Sequence, residues 1–546
     1  MINYKSYKAS CSKGTDSKPF LFVIFYITVV SNAYLFNVPC FHFIFKEEHT
    51  MLEDMKKNLN LTFTENGAVT NGTTGSDCLD LFSGIGAFRY KSDGEIIKSF
   101  IKAFTENPDM AMKILFFGRD VREGLGERKV FRTIISWLGN NEPKSIIKNI
   151  KNIEYIAEYG RYDDLLSLLD TKCEQEVISF LKVQFDKDID AMNSGKAVSL
   201  LGKWLPSVNA SNKETVKTGK RIAKAFNLTD EKYRKSLSAL RAKIKIIENN
   251  LREKDYTFDY EKQPSRALFK YRMAFINNDN ERYSEFLTNV SKGKAKLNTN
   301  NIFPYELIEP YLSTSFLHNE QITFTEAEKE TLNATWASFP DFCNDEDTLA
   351  VIDTSGSMYC CSKPTPASVA LSLGLYFAEH NKGKFKNHFI EFSNKPQLIE
   401  IKGETFADRL RYISQFNEIA NTNIEAVFNL ILDTAVKGNY SQEDLPKKLI
   451  LISDMEFDYC VENANETNFN NAKKAFEEKG YKLPNIIFWN VASRNSNQPV
   501  TKNEQGVALV SGVTPRLFSM VASGELSPYK FMIETISNKR YAKIVA

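Results

Sequence analysis

No C-x-x-C pair occurs in these 546 residues, and apart from the adjacent Cys360 and Cys361 the eight cysteines (Cys11, Cys40, Cys78, Cys173, Cys343 and Cys460 being the others) stand far apart. The five histidines, His42, His49, His318, His380 and His388, do not cluster either. Zinc fingers, thioredoxin-like redox chemistry and haem attachment all need such pairs or clusters, so they are excluded. Scattered thiols suit a reducing compartment, which points to the cytoplasm. An excess of one charge is also missing: 70 basic against 68 acidic residues leave a net charge of +2, so any nucleic-acid footprint must be local. No histidine lies beside a candidate serine nucleophile, and nothing in the chain reads as an enzyme.

A hydrophobic fraction of 42% and a charged fraction of 25% are ordinary for soluble globular protein. The length exceeds what one core supports and predicts two or three domains. Residues 1–50 stand apart. Lys5, Lys8, Lys13 and Lys18 precede the apolar run Phe20–Val30, and Ser31-Asn-Ala33 follows. This is the layout of a signal segment, and it would make the protein secreted or membrane-anchored if translated. The alternative is an extension ahead of a true start at Met51. Residues 51–75 are polar and rich in Asn, Thr and Gly, which predicts a lightly structured lead-in.

From 76 to 345 the apolar residues recur at helical spacing, as in Ile96, Ile97, Phe100, Ile101 and Phe104, or Val130, Phe131, Ile134, Ile135 and Leu138. Strand-like alternation is scarce. An all-α array of short helices is expected, organised as stacked pairs although no fixed period is visible. Near residue 346 the pattern changes to strands alternating with helices, beginning with Thr348–Ile352 and continuing to 546. That alternation predicts a parallel, doubly wound sheet whose ligands bind at the carboxyl ends of its strands.

Asp353, Ser355 and Ser357 form D-x-S-x-S at the end of the first of these strands. Thr422 opens a later helix, and Asp454 ends the strand Leu449–Ser453. An all-oxygen set suits Mg²⁺ or Mn²⁺ rather than zinc or copper. Glu456 and Asp458 extend the acidic cluster and set the local field or cover the loop, without acting as ligands. Cys360-Cys361 follows the metal loop, either as a redox pair or incidentally.

This five-residue pattern resembles the metal-ion-dependent adhesion site of von Willebrand factor A domains, which have a Rossmann-like α/β fold. The resemblance implies that the hydroxyls ligate directly and that the aspartates often act through water. The metal is then electrophilic enough to take a carboxylate from a protein partner, unless it serves only as a scaffold.

Three segments of the helical half are distinctive: Cys78–Arg89, Ile114–Arg128 with R-D-x-R-x-G-x-G-E-R, and Glu158–Leu165 with G-R-Y-D-D-L. Their charges could simply pair, with Arg119, Asp120, Arg122, Glu127 and Arg128 locking one turn, and Arg161, Asp163 and Asp164 fixing a helix start. Together with the carboxy-terminal domain they resemble the TROVE module of Ro and telomerase-associated ribonucleoproteins. The nearest resemblance is to the TROVE-like family called domain of unknown function 2828, over residues 60–546. That kinship implies a ring of HEAT-like helical repeats closed by a von Willebrand A domain, which binds small structured RNAs and single-stranded RNA ends.

One feature points to RNA independently. Between Lys196 and Ile246 thirteen basic residues face three acidic ones, a local net charge of +10. Lys213, Lys217, Lys220, Arg221 and Lys224 recur at helical steps, and Lys232, Arg234 and Lys235 follow, a stripe suited to a phosphate backbone. Trp204, Tyr233 and Phe226 are interleaved and available for stacking on bases, burial being the other use for Phe226. The bland counterpart is a solvated helix face balanced by the acidic stretch at 154–190, including Glu154, Glu158, Asp163 and Asp164. The expected function is therefore non-enzymatic RNA binding with a metal-dependent protein site. The alternatives are a metal-dependent interaction scaffold without RNA and an extracellular adhesin.

Overall fold

The computed structural model describes residues 51–151, 158–318, 322–343, 347–359, 363–392, 395–416, 422–458, 466–521 and 526–546. The apolar extension 1–50, Glu154 and the pair Cys360-Cys361 lie outside them. The chain divides into two compact units, residues 1–59 and 60–546. Of the first, the described part is the helix that begins at Met51.

The second unit opens with an antiparallel hairpin, β1 (Leu61–Phe63) and β2 (Val69–Asn71), with Phe63 opposite Val69. This corrects the expectation of a lightly structured lead-in. Residues 68–71 are buried, and Asn71 exchanges backbone hydrogen bonds with Gln498 at 3.0 and 2.7 Å. The sequence signal was present: Asn66-Gly67 is a preferred hairpin turn, and Gly67 takes the left-handed φ of 85° that glycine accepts without strain.

Described residues 77–343 contain helices and no strand. Their starts follow the sequence: Ser92 and Glu95 close a capping box on Asp93–Glu106, and Asn107 caps Pro108–Arg119, with proline in the first turn. Of the first predicted stripe Ile96 and Phe100 are buried, Ile97 and Phe104 half-buried, and Ile101, against expectation, exposed, while Val130, Phe131, Ile134, Ile135 and Leu138 are all buried.

The carboxy-terminal half carries a six-stranded sheet in the order β5-β4-β3-β6-β7-β8. The strands are β3 (Thr348–Asp353), β4 (His388–Phe392), β5 (Gln397–Glu400), β6 (Lys448–Ser453), β7 (Asn485–Asn490) and β8 (Val507–Ser511). All neighbours run parallel except β4 and β5. The wholly parallel expectation is corrected at that edge. Residues 393–396 are too short a link for a crossover, so the chain must turn back. The link from β7 to β8 also lacks a helix. In that region helix Asp77–Gly84 and the turn after it bring Gly86 against β8; a Cβ on Gly86 would meet the Ser511 carbonyl oxygen at 2.4 Å, and its N–H donates to Ser511 Oγ at 3.0 Å.

Helix Pro366–His380 explains why the two halves are one body. It is buried from Pro366 to Ala378, because the sheet takes one side and helix Pro304–His318 the other. Gly374 permits the close approach to the sheet, since a Cβ there would lie 2.1 Å from Ile352 Cδ1. One continuous apolar cluster runs from Cys78 through Tyr376 to Ile544. Residues 539–546 return to the helical half: Arg540 Nη2 and Tyr541 Oη donate to Asp120 at 2.9 and 3.0 Å, and Asn149 Nδ2 donates to the Val545 carbonyl at 2.7 Å.

Candidate metal centre and basic face

In a parallel sheet the chain leaves the first strand towards one side and returns to build the other, which opens a crevice between the two central strands. Here that point lies between β3 and β6, whose carboxyl ends deliver Asp353 and Asp454 side by side. Asp353 is fully buried. Its Oδ1 accepts from the Ser355 N–H at 2.9 Å and its Oδ2 from Ser453 Oγ at 2.5 Å. Ser355 Oγ lies 3.0 Å from Ser357 Oγ, which donates to Asp454 Oδ2 at 2.7 Å. Four of the five expected metal residues thus form one hydrogen-bonded chain. Burial, and then the neighbouring Asp454 carboxylate, pushes the Asp353 acid up to about 7. Two carboxylates this close and this buried repel each other unless a cation or a proton intervenes.

Thr422 joins the cluster differently. It precedes Asn423, the N-cap of helix Ile424–Gly438. The Thr422 hydroxyl lies 2.9 Å from the Glu456 carbonyl and 3.0 Å from Asp458 Oδ1, and it accepts from Asn66 Nδ2 at 2.8 Å. It is tied to the loop that follows Asp454 rather than to the serines. Among the described residues no three His, Cys, Asp or Glu side chains gather as a metal cluster. The donor set is two carboxylates with hydroxyls between them, and such oxygen donors can hold a hard cation of the Mg²⁺ or Mn²⁺ kind.

Ser453, Arg494 and Asn66 were not foreseen. Ser453 had a readable signal, being adjacent to Asp454 on the strand; Arg494 and Asn66 arrive from distant loops and had none. Arg494 Nη2 lies 3.0 Å from Asp454 Oδ2, and its Nη1 lies 2.7 Å from Glu65 Oε2. Glu456 holds loops together: its Oε2 accepts from the Glu65 N–H at 2.8 Å and its Oε1 from Asn495 Nδ2 at 3.0 Å. Burial raises its pKa above the ordinary glutamate value.

The distinctive helical segments turn out to pair with one another and with the far end of the chain, rather than within one turn. Arg119 and Asp164 are buried partners, with Nη2 2.7 Å from Oδ2, and Arg132 Nε reaches Asp164 Oδ1 at 2.6 Å. Glu127 pairs with Arg89, and Asp120 with Arg540. Arg161 Nε does fix the start of the turn at Tyr162–Leu168, donating to Asp163 Oδ1 at 2.8 Å.

The basic stripe lies on helices Lys213–Ala225 and Asp230–Ile244. Lys213, Lys217, Lys220, Lys224, Lys232, Arg234 and Lys235 are exposed. Lys213, Lys224, Lys232 and Arg234 make no ion pair among the described residues. Lys217 and Lys220 lie 4.0 and 3.7 Å from Glu214 and Asp230, and Lys235 lies 2.7 Å from Glu231. Arg221 is withdrawn, tied to Asp170 and Glu174. Asp163 and Asp164 do not neutralise the stripe, since Arg119, Arg132 and Arg161 hold them. The aromatic expectation is corrected. Tyr233 is buried, with its Oη donating to the Pro206 carbonyl at 3.1 Å, and the Arg161 guanidinium covers the Trp204 ring at 3.8 Å, while Phe226 takes the buried place also expected for it. Among the described residues no helix is long and apolar enough to cross a membrane.

Comparison with known proteins divides the chain similarly. The family model described as Domain of unknown function (DUF2828) matches residues 64–185 and 177–349, just over half of the chain, and Domain of unknown function (DUF7788) matches 347–535. Uncharacterized protein L728 of Acanthamoeba polyphaga mimivirus is 29% identical over 513 residues, 87% of each chain. The crystal structure of the Deinococcus radiodurans RO (RSR) protein aligns over 84% of this chain and 92% of that one, at 11% identity and a TM-score of 0.36. That score is too low to carry over a fold or a ligand.

Proposed function

From the premise that the chain belongs to the DUF2828 family, we propose that it is a non-enzymatic, cytoplasmic RNA-binding protein whose sheet-bearing half holds Mg²⁺ (or Mn²⁺) and binds an acidic group of a protein partner. The observation that carries the RNA reading is the double row of exposed cationic side chains on helices Lys213–Ala225 and Asp230–Ile244, of which Lys213, Lys224, Lys232 and Arg234 have no acidic partner among the described residues. With Trp204, Tyr233 and Phe226 engaged elsewhere, the contact is to phosphates, so it favours shape and charge over base sequence. Asp353, Ser355, Ser357, Thr422 and Asp454 would hold the cation as the metal site of a von Willebrand factor A domain does. The bound ion would supply an electrophilic position for a carboxylate oxygen.

Charge reversal at Lys217, Lys220 and Lys224 tests the RNA reading. Filter binding of a poly(U) oligomer and of a small stem-loop RNA is expected to weaken, with the slope of log affinity against log salt falling by about 2. Unchanged affinity and slope would refute it. The buried aromatics favour a second reading, a metal-dependent interaction scaffold without RNA. Pull-downs with wild type and Asp353→Ala, with and without nuclease, separate the two. If RNA is bound, nuclease removes part of the captured partners, whereas for the scaffold nuclease changes nothing and Asp353→Ala loses them all.

A further inference from the structure

We propose that the turn Thr64–Gly67 is a built-in competitor for the acidic ligand of the metal centre, with Glu65 occupying the arginine that an incoming carboxylate would use. The inference rests on the metal reading above and names what that ligand must displace.

The turn is pinned to the site at three points. Thr64 Oγ1 donates to the Phe457 carbonyl at 2.6 Å, the Glu65 N–H donates to Glu456 Oε2 at 2.8 Å, and Asn66 Nδ2 donates to Thr422 Oγ1 at 2.8 Å. These bonds lay residues 64–66 across the loop that carries Asp454 and against a candidate ligand. Asn66 takes one of the two lone pairs of the Thr422 hydroxyl and leaves the other for a cation.

Arg494 is the link. Its guanidinium bridges Asp454 and Glu65, at 3.0 and 2.7 Å, so one cation serves a candidate metal ligand and the competitor together. The fit to Glu65 is incomplete. Glu65 divides its oxygens between Arg494 Nη1 and Asn495 Nδ2, the latter at 3.2 Å. Arg494 Nε is buried and finds no acceptor. An arginine fork is built for a carboxylate that takes two parallel N–H groups. The unused Nε therefore shows that the resident carboxylate does not satisfy the fork.

Glu65 suits displacement. Its side chain is 43% exposed at the tip of a hairpin whose strands are anchored elsewhere, so it can leave while β1 and β2 stay. An exposed ion pair of this kind contributes little, and losing it asks little of the ligand. The partner that fits presents an accessible Asp or Glu carboxylate able to reach the cation and Arg494 at once.

The test uses the full chain with trifluoroacetate as the carboxylate probe, followed by ¹⁹F line broadening with and without Mg²⁺, and Mn²⁺ binding followed by electron paramagnetic resonance. Glu65→Gln is expected to bind trifluoroacetate about fivefold more tightly than wild type in the presence of Mg²⁺. Glu65→Asp, which keeps the charge, is expected to stay near wild type, and Arg494→Gln to lose the probe while retaining Mn²⁺. Equal or weaker probe binding by Glu65→Gln overturns the inference and leaves the metal reading standing. Mn²⁺ affinity unchanged in Asp353→Ala overturns the metal reading itself, and the inference with it.

Discussion

Replacing Asp164 by alanine is the sharpest test of why the helical half carries its charged motifs. Asp164 has no exposed surface. It accepts from Arg119 Nε at 2.8 Å, Arg119 Nη2 at 2.7 Å, Arg132 Nε at 2.6 Å and the Arg161 N–H at 2.9 Å. Arg132 is 29% exposed and can turn to water, whereas Arg119 is 2% exposed and cannot. Alanine therefore leaves one guanidinium buried without a counter-charge, which costs about 3–5 kcal/mol. Urea denaturation followed by tryptophan fluorescence reads this as a lowered midpoint at unchanged slope. The double variant Arg119→Met with Asp164→Leu removes both charges and is expected to recover most of the loss. A loss below about 1 kcal/mol for Asp164→Ala would refute the reasoning, because a buried partner that costs so little to remove was not compensating its arginine.

Three further outcomes are expected. Saturating Mg²⁺ raises the thermal midpoint of the wild type, by about 2.7 kcal/mol of stability at ~100 times the dissociation constant, and leaves Asp353→Ala unmoved in a melting experiment. Burial pushes the Asp163 acid up, but hydrogen bonds from Arg161 and Arg132 outweigh it and hold the group below its ordinary value. Its contribution is thus present above the unfolded pKa and lost as pH falls through the lower folded one; acid titrations of stability lose part of that slope in Asp163→Asn. Burial raises the thiols of Cys78 and Cys173 to about 12 and 11, so a disulfide reagent labels them only when urea unfolds the chain, and rapid native labelling would contradict their packing.

Much of the architecture was legible because periodicity reports burial. Ile96 and Phe100 announce a helix face, and Leu449–Ile452 a strand covered on both sides. The edge strand β5 was misjudged because direction depends on the length of the link before it. The hairpin at 61–71 was missed because its few strand residues sit in a polar segment, although Asn66-Gly67 gave the turn. For the centre, Asp353, Ser355, Ser357 and Asp454 were readable, since strand ends fix their positions. Arg494 and Glu65 were not, for their meeting depends on loops more than four hundred residues apart. The stripe shows the limit of helical spacing. It found the lysines, but it could not tell that Arg221 faces Asp170 and Glu174, or that Arg161 lies over Trp204.

The return of residues 539–546 to Asp120 and Asn149 bears on how the molecule can be dissected. A fragment ending near residue 345 would leave the Asp120 carboxylate without the guanidinium and phenol that cover it. A fragment beginning there would carry a loose end whose docking surface had been cut away. The join that looks like a seam in the sequence is spanned by a latch.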